Sequence, residues 1–239
     1  MSKKVINQNG NYDSELINTI GSNFVFDKKP INRLKNNTTI SKEEIIDKEK
    51  KLVELTSEIN SIEDCSLKNN SRKLVLGDGN INSPIMLVGE APGIEEDKSG
   101  KTFLGEVGKL LKKMLIAINI KKENIYSTYA VNFRPPKDRK PTSVEIKRYS
   151  LYLQKHISII NPKIIILMGS TAMETLTGLN DKISIERGKW KEIIVKNTNY
   201  NVIITFNPSY LLRVPENKKY SWEDLKKIKQ KIIDLGLSI

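Results

Sequence analysis

Residues 84–103 read Pro-Ile-Met-Leu-Val-Gly-Glu-Ala-Pro-Gly-Ile-Glu-Glu-Asp-Lys-Ser-Gly-Lys-Thr-Phe. The apolar run Ile85 to Val88 is too short for a helix and is cut off by Gly89-Glu90-Ala91-Pro92-Gly93, which predicts a buried strand ending in a tight loop. In an open α/β sheet, ligands sit just beyond such a carboxyl end. Glycine lets the backbone approach a ligand, and Pro92 stiffens the turn that presents the Glu90 carboxylate. An ordinary strand-to-loop junction has the same composition, so this stretch needs support from the rest of the chain.

Upstream, residues 1 to 40 are rich in Asn, Lys and Ser, and we expect a flexible polar arm there with one short helix around Ser14 to Ile20. A domain is expected over 41–239. It opens with an amphipathic helix that carries Ile45, Leu52, Leu55 and Ile59, with Ser41 as N-cap and Glu44 three residues on. Leu74 to Leu76, broken by Gly77-Asp78-Gly79, reads as a short strand or loop. Downstream, Val107 to Ile118 has helical spacing, Ile125 to Val131 reads as a strand, and Thr142 begins a helix that Asn161-Pro162 stops. Ile164 to Met168 is a fully buried strand, with a short helix after Gly169-Ser170. Ile193 to Val195 and Val202 to Phe206 are further strands before a terminal helix over Trp222 to Leu235. Strands alternating with helices predict an α/β fold, a three-layer α/β/α sandwich with a central, mostly parallel sheet. Loops at Glu90, Arg134 and Asn207 then follow strands and converge on one edge.

The chain has 239 residues, 38% of them hydrophobic, enough for one core of ordinary domain size. Forty Lys plus Arg against 28 Asp plus Glu give a net charge of +12, which favours a polyanionic partner such as nucleic acid. A single cysteine, Cys65, excludes an intramolecular disulfide and any four-cysteine metal site. Residues 1–10 lack an apolar signal segment and no run reaches membrane-span length, so a soluble, cytoplasmic monomer is expected. The Gly-x-Gly-x-x-Gly and Walker patterns of nucleotide-binding folds are missing.

Gly89-Glu-Ala-Pro-Gly93, Gly100-Lys-Thr-Phe-Leu-Gly105, Arg134-Pro-Pro136, Pro208-Ser-Tyr-Leu-Leu-Arg213 and Trp222-Glu-Asp-Leu225, in that order, resemble the type 4 branch of the uracil-DNA glycosylase superfamily. The likeness spans roughly Ile59 to Ile232. It implies that Glu90 positions water or stabilises a sugar cation, that the backbone of Gly89, Ala91 and Gly93 holds the base, and that Phe103 stacks on a flipped uracil. A flat apolar face would return part of the stacking lost on flipping.

The chain departs from the family's pattern at three places. Thr128-Tyr129 stands where the family reads uracil with an Asn, so Tyr129 either reads the base through its hydroxyl or fills the pocket. Asn207 stands where most members carry a His that donates to the uracil oxygen, although a mismatch-specific branch also begins this motif with Asn-Pro-Ser. The only histidine, His156, lies inside an expected helix and is expected to be structural. Type 4 members commonly hold a four-iron, four-sulfur cluster with four cysteines. Ile62, Phe133 and Tyr149 occupy three of those positions and only Cys65 remains, so no cluster and no other metal or cofactor is expected.

For DNA, Ser209 and neighbouring amides would hold a phosphate, and Tyr210, Leu211 and Leu212 would fill the gap left by the flipped nucleotide. Arg213 would clamp the backbone, and Arg134, Lys137, Arg139 and Lys140 would add salt-dependent contacts. The leading expectation is a hydrolase that removes uracil from DNA with Glu90 and Asn207 as catalytic residues. The rival is a non-catalytic DNA-binding or damage-recognising protein on the same fold.

Overall fold

The computed structural model describes residues 42–237, so the expected arm, its short helix and the Ser41 cap lie outside the described residues. In chain order the elements are α1 (Lys42–Asn60), α2 (Ser66–Asn70), β1 (Gly77–Gly79), β2 (Ile85–Gly89), α3 (Ile94–Ser99), α4 (Gly105–Ile116), β3 (Tyr126–Tyr129), α5 (Ser143–Ile160) and β4 (Ile164–Met168). They continue as α6 (Ser170–Thr177), α7 (Ile183–Glu186), β5 (Trp190–Val195), β6 (Thr198–Thr205), α8 (Pro208–Arg213) and α9 (Lys218–Asp234).

The strands form one sheet in the order β1-β3-β2-β4-β6-β5. The four central strands are parallel, and β1 and β5 run antiparallel at the two edges. Every residue of β2 and β4 is buried, as strands covered on both faces require. Alternate residues serve opposite layers. Ile85, Leu87, Ile164, Ile166 and Ile203 pack with Leu111 and Leu115 of α4 and with Leu225 and Ile228 of α9. Met86, Val88, Ile165, Leu167 and Ile204 pack with Leu153, Ile157 and Ile160 of α5 and with Met173 of α6. The sheet is therefore the middle layer of an α/β/α sandwich, as expected. Among the described residues no helix is long and apolar enough to cross a membrane.

Local chemistry sets the element ends. The Thr142 side chain accepts from Glu145 N while the Glu145 carboxylate accepts from Thr142 N, a reciprocal cap that starts α5. Asn161, in a left-handed conformation, ends it. Two expectations are revised. Of strand or loop, Leu74 to Leu76 is the loop, and the strand is Gly77–Gly79, over the glycines expected to break it: Val75 N donates to Asn132 O and Asn132 Nδ2 to Val75 O, so ladder pairing with β3 begins only afterwards. The segment after Asn207 is a helix, α8, because Asn207 Oδ1 accepts from Ser209 N and Pro208 occupies the first turn, where no N–H is needed.

His156 is buried in α5 and hydrogen-bonded through Nε2 to Tyr126 Oη at 2.9 Å. Burial holds its imidazole down at about 3, so it stays neutral, in the structural role expected of it.

Candidate functional site

The chain leaves β2 for β3 on one side and then returns to β4 on the other, so the order of the sheet reverses between β2 and β4. At such a reversal the two following loops diverge and leave a crevice beyond the strand ends. Here the crevice is a cavity of about 520 Å³. Its walls include Glu90, Ala91 and Gly93 after β2, Tyr129 at the end of β3, Gly169 to Thr171 after β4, Asn207 after β6, and Phe103.

Glu90 is half-buried and multiply held. Its Oε1 accepts from Thr171 N at 3.0 Å and from Ser170 Oγ at 3.3 Å, while its Oε2 accepts from Asn207 Nδ2 at 3.3 Å. Asn207 is 7% exposed, and Nδ2 also donates to Met168 O at 3.3 Å. The structure thus joins the two expected catalytic residues directly.

A second carboxylate was not anticipated. Glu96, 6% exposed, accepts from Gly93 N through Oε2 at 3.1 Å and from Leu104 N through Oε1 at 2.8 Å. It ties the loop after β2 to the loop that carries Phe103. Glu96 stands at the third position of α3 and takes the N–H of the residue before the helix, half of a capping box, since Gly93 has no side chain to return the bond; an acidic residue at that place was the sequence signal for it. The Gly93 amide is therefore already used, whereas the Ala91 amide has no protein partner among the described residues.

Tyr129 is 4% exposed, accepts from Phe103 N through its hydroxyl at 2.9 Å and stands beside the Glu96 carboxylate. Burial first, and then the Glu96 charge, push its phenol well above the ordinary range, so it is neutral. Its ring lies 5.0 Å from that of Phe103, tilted by 36°. The two rings fit because position 89 has no side chain: a Cβ there would lie 2.6 Å from Tyr129 Cδ1 and 2.8 Å from Phe103 Cζ. Of the two roles left open for Tyr129, the geometry matches a pocket wall. Phe103 itself is 2% exposed and has a φ of +50°, a sparsely populated conformation for a residue with a side chain.

Residues 76–228 match the family model described as Uracil DNA glycosylase superfamily. The chain belongs to that superfamily. It is 38% identical over 181 residues to a type-4 uracil-DNA glycosylase of Thermotoga maritima, covering 74% of this chain and 93% of the relative. A type-4 uracil-DNA glycosylase of Archaeoglobus fulgidus is 34% identical over 181 residues, covering 74% and 91%, and one of Sulfurisphaera tokodaii is 35% identical over 191 residues, covering 75% and 84%.

The iron–sulfur cluster that the type 4 resemblance implies does not fit the residues present. Cys65, Phe133 and Tyr149 lie in one buried apolar cluster with Leu55, Ile59 and Leu67, and Ile62 packs against it. The thiol of Cys65 is 3.4 Å from Tyr149 Oη. One sulfur and three apolar or aromatic side chains offer no second thiolate to iron. Among the described residues no group of three or more His, Cys, Asp or Glu could hold a metal ion.

The expected DNA contacts separate into two groups. On the basic loop, Arg134 is clamped by Asp138 through Nε at 2.7 Å and Nη2 at 2.9 Å, Arg139 by Glu145 at 2.7 and 2.8 Å, and Lys140 by Glu174 at 3.3 Å. Lys137 is exposed. On α8, Arg213 is exposed, lines the cavity and makes no hydrogen bond or ion pair among the described residues. The expectation that Leu211 faces DNA is corrected. Pro208 and Leu211, three apart on the helix, both turn into the core, which leaves Leu212 outside at 40% exposure. Tyr210 is half-buried, stacked at 5.0 Å on Phe206, and accepts from Asn217 Nδ2.

The Trp222-Glu-Asp-Leu225 signature is structural. Asp224, fully buried, accepts from Thr205 Oγ1 at 2.8 Å and from Arg187 Nε at 3.0 Å, which pins α9 to the end of β6 just before Asn207.

Proposed function

We propose that this chain is a DNA repair glycosylase that flips uracil out of DNA and hydrolyses its N-glycosidic bond, leaving an abasic site. The observation that carries this reading is the direct pairing of Glu90 with Asn207 inside the cavity at the reversal of the sheet. In the reaction, water attacks C1′ of the deoxyribose, the C1′–N1 bond breaks, and its electron pair leaves with the uracil. The Glu90 carboxylate faces the cationic sugar and orients the water, whose proton passes to that carboxylate as the new C–O bond forms and from there, by way of solvent, to the released uracil anion. Asn207 supplies a neutral donor to the departing base. One Asn207 hydrogen stays on Glu90, and the other, which meets Met168 O at the long distance of 3.3 Å, is the one offered to a uracil oxygen.

The base enters between Phe103 and the Gly89–Gly93 loop, where the unpartnered Ala91 amide is a donor for it. Tyr129 closes the far wall. Ser209, Tyr210, Leu212 and Arg213 of α8 meet the DNA, and the basic loop adds field from Lys137 with Arg134 and Arg139 already paired. The protein acts without iron–sulfur chemistry, as a cytoplasmic monomer; light scattering at working concentration checks the oligomeric state.

We read a domain over 41–239 and a separate arm over 1–40; the domain's start is supported by α1, whose Leu52, Leu55 and Ile59 pack with Tyr149, Leu153 and Ile157 of α5. Deleting residues 1–38 should then leave the melting temperature unchanged, and a large fall would refute the division.

A second reading, a damage-recognising protein that binds without cleaving, is favoured by one observation. Tyr129 and the nearly inaccessible Phe103 leave little free ring face for a base. One assay separates the two: a uracil-containing duplex is incubated with the protein and treated with alkali. Strand cleavage at the uracil supports the glycosylase; binding without cleavage supports the alternative.

A further inference from the structure

We infer that Gly169, Ser170 and Thr171, at the junction of β4 and α6, form a socket that sets the geometry of Glu90 and are positioning residues for the proposed hydrolysis. The inference rests on the glycosylase reading. No sequence motif marked these residues, and they reach Glu90 only because β2 and β4 are parallel neighbours.

The socket has three parts. Gly169 has a φ of +107°, and a Cβ built on it would lie 2.3 Å from Glu90 Cδ, 2.5 Å from Cγ and 2.7 Å from Oε1. The Glu90 carboxyl group thus occupies the volume that any other side chain at 169 would claim. Ser170 Oγ and Thr171 N then both donate to Oε1, and the amide belongs to the first turn of α6, whose N–H groups have no partners within the helix. Asn207 holds the other oxygen. Two donors and a steric slot on one oxygen, opposed by one donor on the other, leave the carboxylate no freedom to swing out of the cavity. Thr171 is 1% exposed and Gly169 is buried, while Ser170 is half-buried at the cavity wall beside Glu90.

The test compares Gly169→Ala, Ser170→Ala and Ser170→Thr by enzyme-excess uracil release and by DNA affinity. Ser170→Ala should slow release roughly tenfold, the scale of one lost hydrogen bond to a charged group. Gly169→Ala displaces the carboxyl group and should slow release on the order of a hundredfold, the scale of an ångström of misplacement. Ser170→Thr, which keeps the hydroxyl, should recover most of the rate, and DNA affinity should change less than about twofold in all three. In a Glu90→Ala background Ser170→Ala should cost nothing further, because its effect passes through the missing carboxylate. Gly169→Ala also strains the backbone; if it does not fold, Ser170→Ala and the double variant decide alone. An active wild type with unchanged release in Ser170→Ala, or an equal loss with and without Glu90, overturns the socket. A wild type with no release overturns the glycosylase reading instead, and the socket with it.

Discussion

The cavity around Glu90 and the corner around Cys65 both depart from the pattern that the type 4 resemblance implies, with opposite results. In the cavity, a polar residue stands where a polar residue is usual: Asn207 donates to Glu90 and to Met168 O and caps α8 with its oxygen. At the Cys65 corner, Ile62, Phe133 and Tyr149 stand where thiolates are usual, and they join a cluster with Tyr149 fully buried. A reaction that develops charge needs aimed donors, so replacement there is limited to side chains that can still donate. A corner that only holds α1, α2 and α5 together can exchange metal bonds for buried area. Under the proposed function the difference teaches that the corner serves stability and the cavity chemistry, so that the two should be separable by mutation.

The largest expected effect lies in the corner. Tyr149→Ala should destabilise the fold by about 3–5 kcal/mol, the range for truncating a buried aromatic. Uracil release per folded molecule should stay constant, and denaturant titration with active-site counting checks both. Activity falling in step with stability at low temperature would break the separation. In the cavity, Asn207→Ala should slow single-turnover release by about tenfold to a hundredfold at constant DNA affinity, since its contact strengthens only in the transition state. Asn207→His should equal or exceed wild type.

Smaller effects distinguish the DNA-facing elements. Arg213→Ala should reduce the slope of log affinity against log salt by roughly one counterion, whereas Arg139→Ala, already paired with Glu145, should reduce it less. Equal slopes would show that the Glu145 pair opens on DNA. The smallest effect is in pH. Burial depresses His156 from its ordinary 6.5 to about 3, so its contribution is full above pH 6.5 and is lost as pH falls from there toward 3. Glu145, held down to about 2 chiefly by Arg139, contributes above its ordinary 4.5 and loses that as pH falls toward 2. Stability curves of His156→Gln should flatten from pH 6.5 downward and those of Glu145→Gln only below 4.5.

The parallel core was legible in the sequence because β2 and β4 are apolar runs too short for a helix and ended by Gly89 and Gly169, a pattern that suits a doubly covered strand. Glu90, Asn207 and Phe103 were legible because each follows or faces a strand end inside a motif. What escaped depends on contacts across the sheet. Ser170 meets Glu90 eighty residues away, and no local spacing records that. The wall role of Tyr129 follows from Gly89, its neighbour across the β2–β3 ladder. The outward expectation for Leu211 treats the segment as a loop, whereas helical geometry turns the side chain inward. The pairing of Arg134 and Arg139 likewise needed Asp138 and Glu145 to be placed by a turn and a helix cap.

The central claim is that a cavity with Asn207 and Tyr129 still performs the hydrolysis through Glu90. Its most direct test is free uracil released from a duplex at enzyme excess, by wild type and Glu90→Ala at one salt concentration. We expect wild type to release uracil in proportion to substrate, leaving an abasic site, and Glu90→Ala to be slower by roughly a thousandfold, within the range for a residue acting directly on the reacting groups. A wild type that binds the duplex and releases no more uracil than a protein-free control would contradict the account.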